Sequence, residues 1–262
     1  MTAVEGGWMK RLDRAALTFD LDWAPDWCIS LCVEICSKYG VPATFFVTHD
    51  TPLLQILRTN PLFELGIHPN FLPGSSHGSS HREVVEFCVQ LIPEAHAMRT
   101  HALVQSSHIF AMVADFFPQI DTDVSLLLPF HVPGLQPTDI YFGKSKRRIT
   151  RLPYFWEDDD FAETPGRDWA SRPPSASDPG LRIFDFHPVY VALNMASMQG
   201  YQLVKSELGA RPLFSATPEE FRPHINEGLG CRKFLEALLM QSDLKRFCKI
   251  SDITTEYRRL GR

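Results

Sequence analysis

Long apolar stretches are missing from the 262-residue chain, and so is a leader-like beginning. Its first fourteen residues, MTAVEGGWMKRLDR, are polar and mixed in charge, unlike the basic and then apolar start of a secretory signal. No run approaches the roughly 18 apolar residues of a membrane-spanning helix. We therefore expect a cytoplasmic protein without a transmembrane segment.

An excess of basic residues is also missing. The formal net charge is -5, from 26 Lys and Arg against 31 Asp and Glu. Nucleic acids and anionic membranes attract proteins largely through positive charge, so this balance gives no reason to expect either. We expect no nucleic-acid partner, and any contact with an anion must be local.

Cysteine pairs with the CxxC spacing of metal or redox sites do not occur among the six cysteines. Cys28, Cys32 and Cys36 are spaced by four residues, which places them on one face of a helix. Because a free cysteine behaves as a small hydrophobic residue, this pattern predicts a thiol face buried in the core.

The chain does contain a regular alternation of strand-like and helix-like segments. Apolar runs at residues 16–20, 43–48, 62–68 and 95–100 are separated by amphipathic stretches with helical spacing. This order predicts right-handed crossovers and a parallel α/β sheet or barrel. With 44% hydrophobic residues, we expect a single domain over residues 1–262, ending in a helical segment at about 226–262.

Acidic, basic and histidine side chains follow these apolar runs, at what we call the rim: the edge formed by the C-terminal ends of the parallel strands. Reactive residues of parallel α/β proteins collect at this edge. The rim candidates are Asp20, Asp22, His49, His68, Arg99, His101, Asp185 and His187.

Asp20 and Asp22 are separated by one residue, so their like charges favour a bound metal or a shared proton between them. One Asp with two His is a typical set for zinc or another divalent ion. His68 is the first histidine candidate. The second is either His77, in the loop GSSHGSSH, or His101.

Five motifs resemble, in order, those of the polysaccharide deacetylase family, the chitin-deacetylase-like carbohydrate esterases. They are TFDLDWAPDW, YGVPATFFVT, ELGIHPNF, MRTHAL and IFDFHP, spread over residues 15–200. The closest resemblance is to the subgroup associated with O-antigen and surface polysaccharide biosynthesis. It implies a distorted (β/α) barrel of about seven parallel strands with its active site at the rim.

The resemblance also implies residue roles. Asp20 resembles the catalytic base of the family and Asp22 a metal ligand. His68 matches the first of two ligand histidines spaced by four, but Leu72 occupies the second position, so that ligand would be His77 or His101.

Two further motifs imply roles for the arginine and the late histidine. Arg99 would orient the base, and His101 stands where the family's arginine motif has proline. His187 would be the catalytic acid, with Asp185 placed to polarise it. One carboxylate of residues 158–160 would contact Arg99 or His187, unless this acidic run is a solvated loop.

The implied activity is the hydrolysis of an N-acetyl group on a sugar or polysaccharide precursor, assisted by one divalent metal ion, expected to be zinc. Trp23, Tyr154 and Trp156 are the predicted substrate contacts. The basic residues 144–151 would be a solvated loop or would bind the diphosphate of a nucleotide-linked or lipid-linked sugar. The alternative function is a catalytically inactive protein that binds carbohydrate or takes part in polysaccharide assembly.

Overall fold

The structure, a computed structural model, describes residues 11–128, 135–170 and 177–261. Most of the N-terminal stretch that we interpreted as lacking a leader, residues 1–10, lies outside these ranges. Within them no helix is long and apolar enough to span a membrane.

The described residues form one sheet of nine strands. The strands are β1 (Ala15–Asp20), β2 (Ala43–Val47), β3 (Phe63–Ile67), β4 (Ala97–Met98), β5 (Thr122–Leu127), β6 (Thr138–Phe142), β7 (Arg147–Tyr154), β8 (Trp156–Glu157) and β9 (Arg182–Phe186). Their order across the sheet is β6-β7-β5-β4-β3-β2-β1-β9-β8. All neighbours are parallel except β6 and β7, which form an antiparallel pair.

One extended segment of the chain contributes two strands, β7 and β8, which lie near opposite ends of this order. Strands β7 and β8 are separated only by Phe155; β7 pairs with β5, whereas β8 pairs with β9. If β7 and β8 are counted as one run, the sheet has seven parallel strands in a barrel-like arrangement. Counted as separate strands, they leave the sheet open, with β6 and β8 at its two edges. The predicted α/β class and parallel strands are confirmed.

Ten α-helices occur in the described part of the chain. They are α1 (Asp26–Tyr39), α2 (Leu53–Thr59), α3 (His81–Leu91), α4 (Ser107–Phe116), α5 (Asp158–Glu163), α6 (Pro188–Leu193), α7 (Gln199–Leu208), α8 (Pro218–Phe221), α9 (Cys231–Gln241) and α10 (Ile250–Arg259). The three cysteines of α1 are buried, which confirms the predicted thiol face.

The barrel interior contains an apolar cluster at the end opposite to the rim. Ile250 and Ile253 of α10 pack there with Ala16 and Ile183, which point inward from β1 and β9. Strand residues alternate between two faces, so Leu17 and Phe19 belong instead to the larger core under the surrounding helices. The same alternation directs Thr18, Asp20 and Asp185 towards the interior near the rim.

Candidate functional site

The chain turns sharply where β1 reaches the rim. Asp22 and Trp23 both have left-handed backbone conformations, with φ of 43° and 55°. Residues with a Cβ rarely adopt this region, and such strain clusters at functional sites. The turn brings the carboxylate of Asp22 close to His68 and His101, which follow β3 and β4.

Asp22, His68 and His101 form a compact group that could hold a metal ion. Oδ1 of Asp22 lies 3.1 Å from Nε2 of His68 and 3.0 Å from Nδ1 of His101. One possible ligand atom from each residue lies within 4.8 Å of the other two. The donor set of one carboxylate and two imidazoles fits a divalent first-row ion such as zinc.

The electrostatics of this group also favour a cation. Burial opposes ionisation of Asp22, but hydrogen bonds from His101 and His68 outweigh it and hold the pKa of Asp22 well below its ordinary value. Two imidazole nitrogens meet one carboxylate oxygen, an arrangement that needs protons on those nitrogens. A metal ion would replace these protons, since ligand imidazoles bind in the neutral form.

His77, the other candidate ligand, is directed away from this group. Its Nε2 lies 2.7 Å from the carbonyl oxygen of Thr48, and its Nδ1 accepts the backbone N–H of Asn70 at 3.2 Å. Both ring nitrogens therefore bond backbone groups. The imidazole holds the loop after β3 against the end of β2 and packs against Trp23, at 5.4 Å between ring centroids.

Asp20 lies deeper in the barrel than Asp22 and is paired with the buried Arg99. Nη1 of Arg99 donates to Asp20 Oδ1 at 2.9 Å, and its Nε donates to the carbonyl oxygen of Val124 at 3.0 Å. The guanidinium is enclosed by the rings of Phe46 and Tyr154, at 4.6 and 4.4 Å from their centroids. This enclosure fixes the cation that orients the Asp20 carboxylate.

Asp185 does not have the role that its spacing from His187 predicted. Its Oδ1 accepts hydrogen bonds from Thr18 at 2.8 Å and from Nη1 of Arg99. Among the described residues it makes no hydrogen bond to His187. Burial raises the pKa of Asp185 to about 8 despite the opposing charge of Arg99. Asp185 thus lies one step deeper in the barrel and shares the guanidinium with Asp20.

His187 is held by Asp158 instead. Nδ1 of His187 donates to Asp158 Oδ1 at 2.7 Å, and its backbone N–H donates to Asp158 Oδ2 at 2.8 Å. Burial disfavours the imidazolium, but the Asp158 charge outweighs it and raises the pKa of His187 well above its ordinary value. Nε2 of His187 lies 3.6 Å from Asp22 Oδ2 and so faces the candidate metal ligands.

Only one of the three predicted substrate aromatics lies at the surface of the site. Trp23 is half-buried at the mouth. Tyr154 is completely buried beneath Arg99, and Trp156 is buried and stacks on Phe234 at 4.8 Å. Direct substrate contact is therefore corrected to interior packing for Tyr154 and Trp156.

Two tyrosines near the site were not identified from the sequence. The ring of Tyr190 packs against His187 at 4.8 Å, and Tyr201 packs edge-on against Tyr190 at 5.1 Å. Burial and the nearby Asp22 charge raise the pKa of Tyr201 to about 12. Tyr190 could have been predicted from its place in the short helix α6, because this helix directly follows His187 and its first turn therefore lies near the rim.

The basic stretch 144–151 includes the start of β7, whereas Tyr154 at the other end of that strand lies near the site. Seven residues at about 3.3 Å each separate Arg147 from Tyr154 by roughly 23 Å. Residues 144–148 are therefore too far from the rim to bind a diphosphate close to an acetyl group in the site.

Comparison with known proteins identifies the class. Residues 17–205 match the family model described as WbmS-like polysaccharide deacetylase, and the chain belongs to that family. A search of curated proteins found no match.

The chain is similar to the crystal structure of WbmS from Bordetella bronchiseptica, a candidate polysaccharide deacetylase involved in O-antigen biosynthesis. The two share 33% identity with a TM-score of 0.74, over 88% of this chain and 91% of the other. The Xyl-CE4 domain of a xylanase from the hindgut metagenome of Trinervitermes trinervoides is 15% identical, over 92% and 89%, with a TM-score of 0.45. A family 4 acetyl xylan esterase from Clostridium thermocellum, solved with cobalt, is 14% identical, over 92% and 90%, with a TM-score of 0.40.

Proposed function

We propose that this protein is a metal-dependent N-deacetylase that removes an acetyl group from a sugar or polysaccharide precursor. The supporting observation is that the candidate ligands Asp22, His68 and His101 lie between a carboxylate and an imidazole, each of which is held by a buried charged partner. On one side is the Asp20 carboxylate paired with Arg99, and on the other is His187 paired with Asp158.

Each group has a distinct task in amide hydrolysis. A divalent ion, for which we propose zinc, would supply Lewis acidity toward the acetyl carbonyl when bound to the three ligands. Asp20, oriented by Arg99, accepts a proton from the attacking water as general base. His187 donates a proton from Nε2 to the departing amine nitrogen, while Asp158 holds its Nδ1–H.

The proposed substrate class follows from the family and from the mouth of the site. WbmS is associated with O-antigen biosynthesis, so we propose an N-acetylated sugar of a surface polysaccharide pathway as substrate. The indole of Trp23 could pack against the sugar face. A nucleotide or lipid linkage is one form of this substrate, and the basic residues 144–148 do not support it. A cytoplasmic location remains a prediction from the sequence.

Acetate release from N-acetylated sugars tests the proposal. The panel should contain free, nucleotide-linked and lipid-linked sugars, with enzyme loaded with zinc. Asp20→Asn and His187→Gln should each lower the rate by about 10²-fold or more, as expected for general base and acid groups. Asp121→Asn and His96→Gln are matched controls at the opposite end of the barrel and should keep the wild-type rate.

Two outcomes would contradict the proposal. One is that no member of the panel releases acetate although zinc is bound. The other is that both site variants retain the wild-type rate. Sugar binding without acetate release would favour the carbohydrate-binding alternative.

A further inference from the structure

The carboxylate of Asp158 has a third hydrogen-bond donor besides the two from His187. The thiol of Cys231, the first residue of α9, donates to Asp158 Oδ2 at 3.3 Å. Cys231 lies beyond the family match, which ends at residue 205. A residue from the C-terminal part of the chain therefore contacts the partner of the proposed catalytic acid.

The segment 226–241, which we call the α9 segment, holds Cys231 in this position. The side-chain amides of Asn194 and Asn226 each donate to the backbone carbonyl of the other residue, at 2.7 and 3.1 Å. The backbone N–H of Cys231 donates to the carbonyl oxygen of Met195 at 2.9 Å. These bonds join the start of α9 to the end of α6, which directly follows His187.

Gly230 allows this close approach. A Cβ at position 230 would lie 2.1 Å from the carbonyl oxygen of Asn194, far inside van der Waals contact. Any larger residue would displace the start of α9 and, with it, the Cys231 thiol. The local sequence is thus specialised for bringing this thiol to Asp158.

The state of the thiol suits the role of a donor. Cys231 is completely buried, and burial together with the nearby Asp158 charge raises the pKa of the thiol well above its ordinary value. It therefore stays protonated. A thiol is a weak donor, but a bond to an ionised acceptor is stronger than one between neutral groups.

We propose that Cys231 and the α9 segment position the catalytic acid, by completing the hydrogen bonding of the Asp158 carboxylate that orients His187. This inference rests on the proposed function for its catalytic consequence. Cys231 is a positioning residue, since its contact with His187 is only through Asp158. The effect should therefore be on turnover rather than on substrate or metal affinity.

The test compares Cys231→Ala and Cys231→Ser with Cys36→Ala, which removes an equally buried thiol on α1. Cys231→Ala should lower kcat about 5-fold, the equivalent of one hydrogen bond, with KM and zinc affinity unchanged. Cys231→Ser restores a donor and should recover most of the rate. Cys36→Ala should leave kcat at the wild-type value.

Proton NMR gives a second readout that does not depend on activity. The His187 Nδ1–H proton in a short bond to a carboxylate should resonate far downfield, assigned by its loss in His187→Asn. Cys231→Ala should shift or broaden this resonance, whereas Cys231→Ser and Cys36→Ala should keep it. If Cys231→Ala does not fold, Cys231→Val provides a variant of similar size without the donor.

The outcomes separate the two proposals. If the wild-type enzyme binds zinc but releases no acetate, the proposed function fails and the NMR comparison still decides the positioning role. If Cys231→Ala behaves like Cys36→Ala in both readouts, or if Cys231→Ser is as impaired as Cys231→Ala, the positioning role is overturned.

Discussion

Replacing His77 by glutamine should make the protein less sensitive to acid. Burial lowers the pKa of His77 from 6.5 to about 4, because its ring lies between Trp23 and Phe87, and the hydrogen bond to the Thr48 carbonyl opposes this shift only in part. Glutamine offers one donor and one acceptor for the same backbone partners, but it does not titrate in this range.

The magnitude follows from proton linkage. Between pH 6.5 and 4 the unfolded chain binds a proton at His77 that the folded protein excludes, so the free energy of unfolding falls as the pH falls. For these two pKa values the loss at pH 5 is about 2 kcal/mol relative to pH 8. Screening by solvent near the loop reduces this to about 1 kcal/mol.

Urea unfolding at pH 5 and pH 8 measures this difference. Between pH 8 and pH 5 the free energy of unfolding of the wild-type protein should fall by about 1 kcal/mol more than that of His77→Gln. The contributions of all other titrating groups are the same in both proteins and cancel in this comparison. His96→Gln, which replaces an exposed histidine, should retain the wild-type loss. An identical pH dependence in wild type and His77→Gln would refute the assignment of His77 as a buried neutral group.

Two further substitutions test the support of the general base. Arg99→Met leaves the buried Asp20 and Asp185 without their shared cation and should cost about 3 to 5 kcal/mol of unfolding free energy in urea; a loss below about 1 kcal/mol would contradict this pairing. Gly66→Ala places a Cβ 2.6 Å from the Phe46 ring that packs on Arg99. It should cost about 1 to 3 kcal/mol, and an unchanged melting temperature would show that this ring moves freely.

Much of the site could be predicted because strand periodicity is a local property. Asp20 ends an apolar run that predicts a buried strand, so its place at the rim could be predicted from the sequence. The order of strands and helices indicated a common rim. These two facts were sufficient to place Asp20, His68, Arg99 and His187 near one another.

The choice between His77 and His101 depended on loop paths, which local patterns do not determine. Both residues lie in loops that follow strands, and spacing favours neither. In the structure the loop after β3 turns back, so that His77 bonds the Thr48 carbonyl. His101 lies in a short 3₁₀ turn, followed by Ala102 in a left-handed conformation, and this turn directs its ring to Asp22.

Two predictions competed for the partner of His187: Asp185, and one carboxylate of residues 158–160. The hydrogen bond from Nδ1 of His187 goes to Asp158. Asp185 and His187 are two residues apart, and this spacing favoured contact between them. Strand β8 pairs in parallel with β9, with Glu157 beside Asp185, and so brings Asp158 to the level of His187. Pairing between strands distant in sequence decided which carboxylate met the imidazole, and such pairing has no local signal.

Zinc affinity in the wild type and in His101→Ala and His77→Gln tests the central claim most directly. Competition with a chromophoric chelator should give about one ion per chain for the wild type. His101→Ala should weaken binding by about 100-fold or more, since it removes one of three protein ligands, and His77→Gln should bind as the wild type does. Unchanged affinity in His101→Ala together with lost binding in His77→Gln would contradict the site formed by Asp22, His68 and His101.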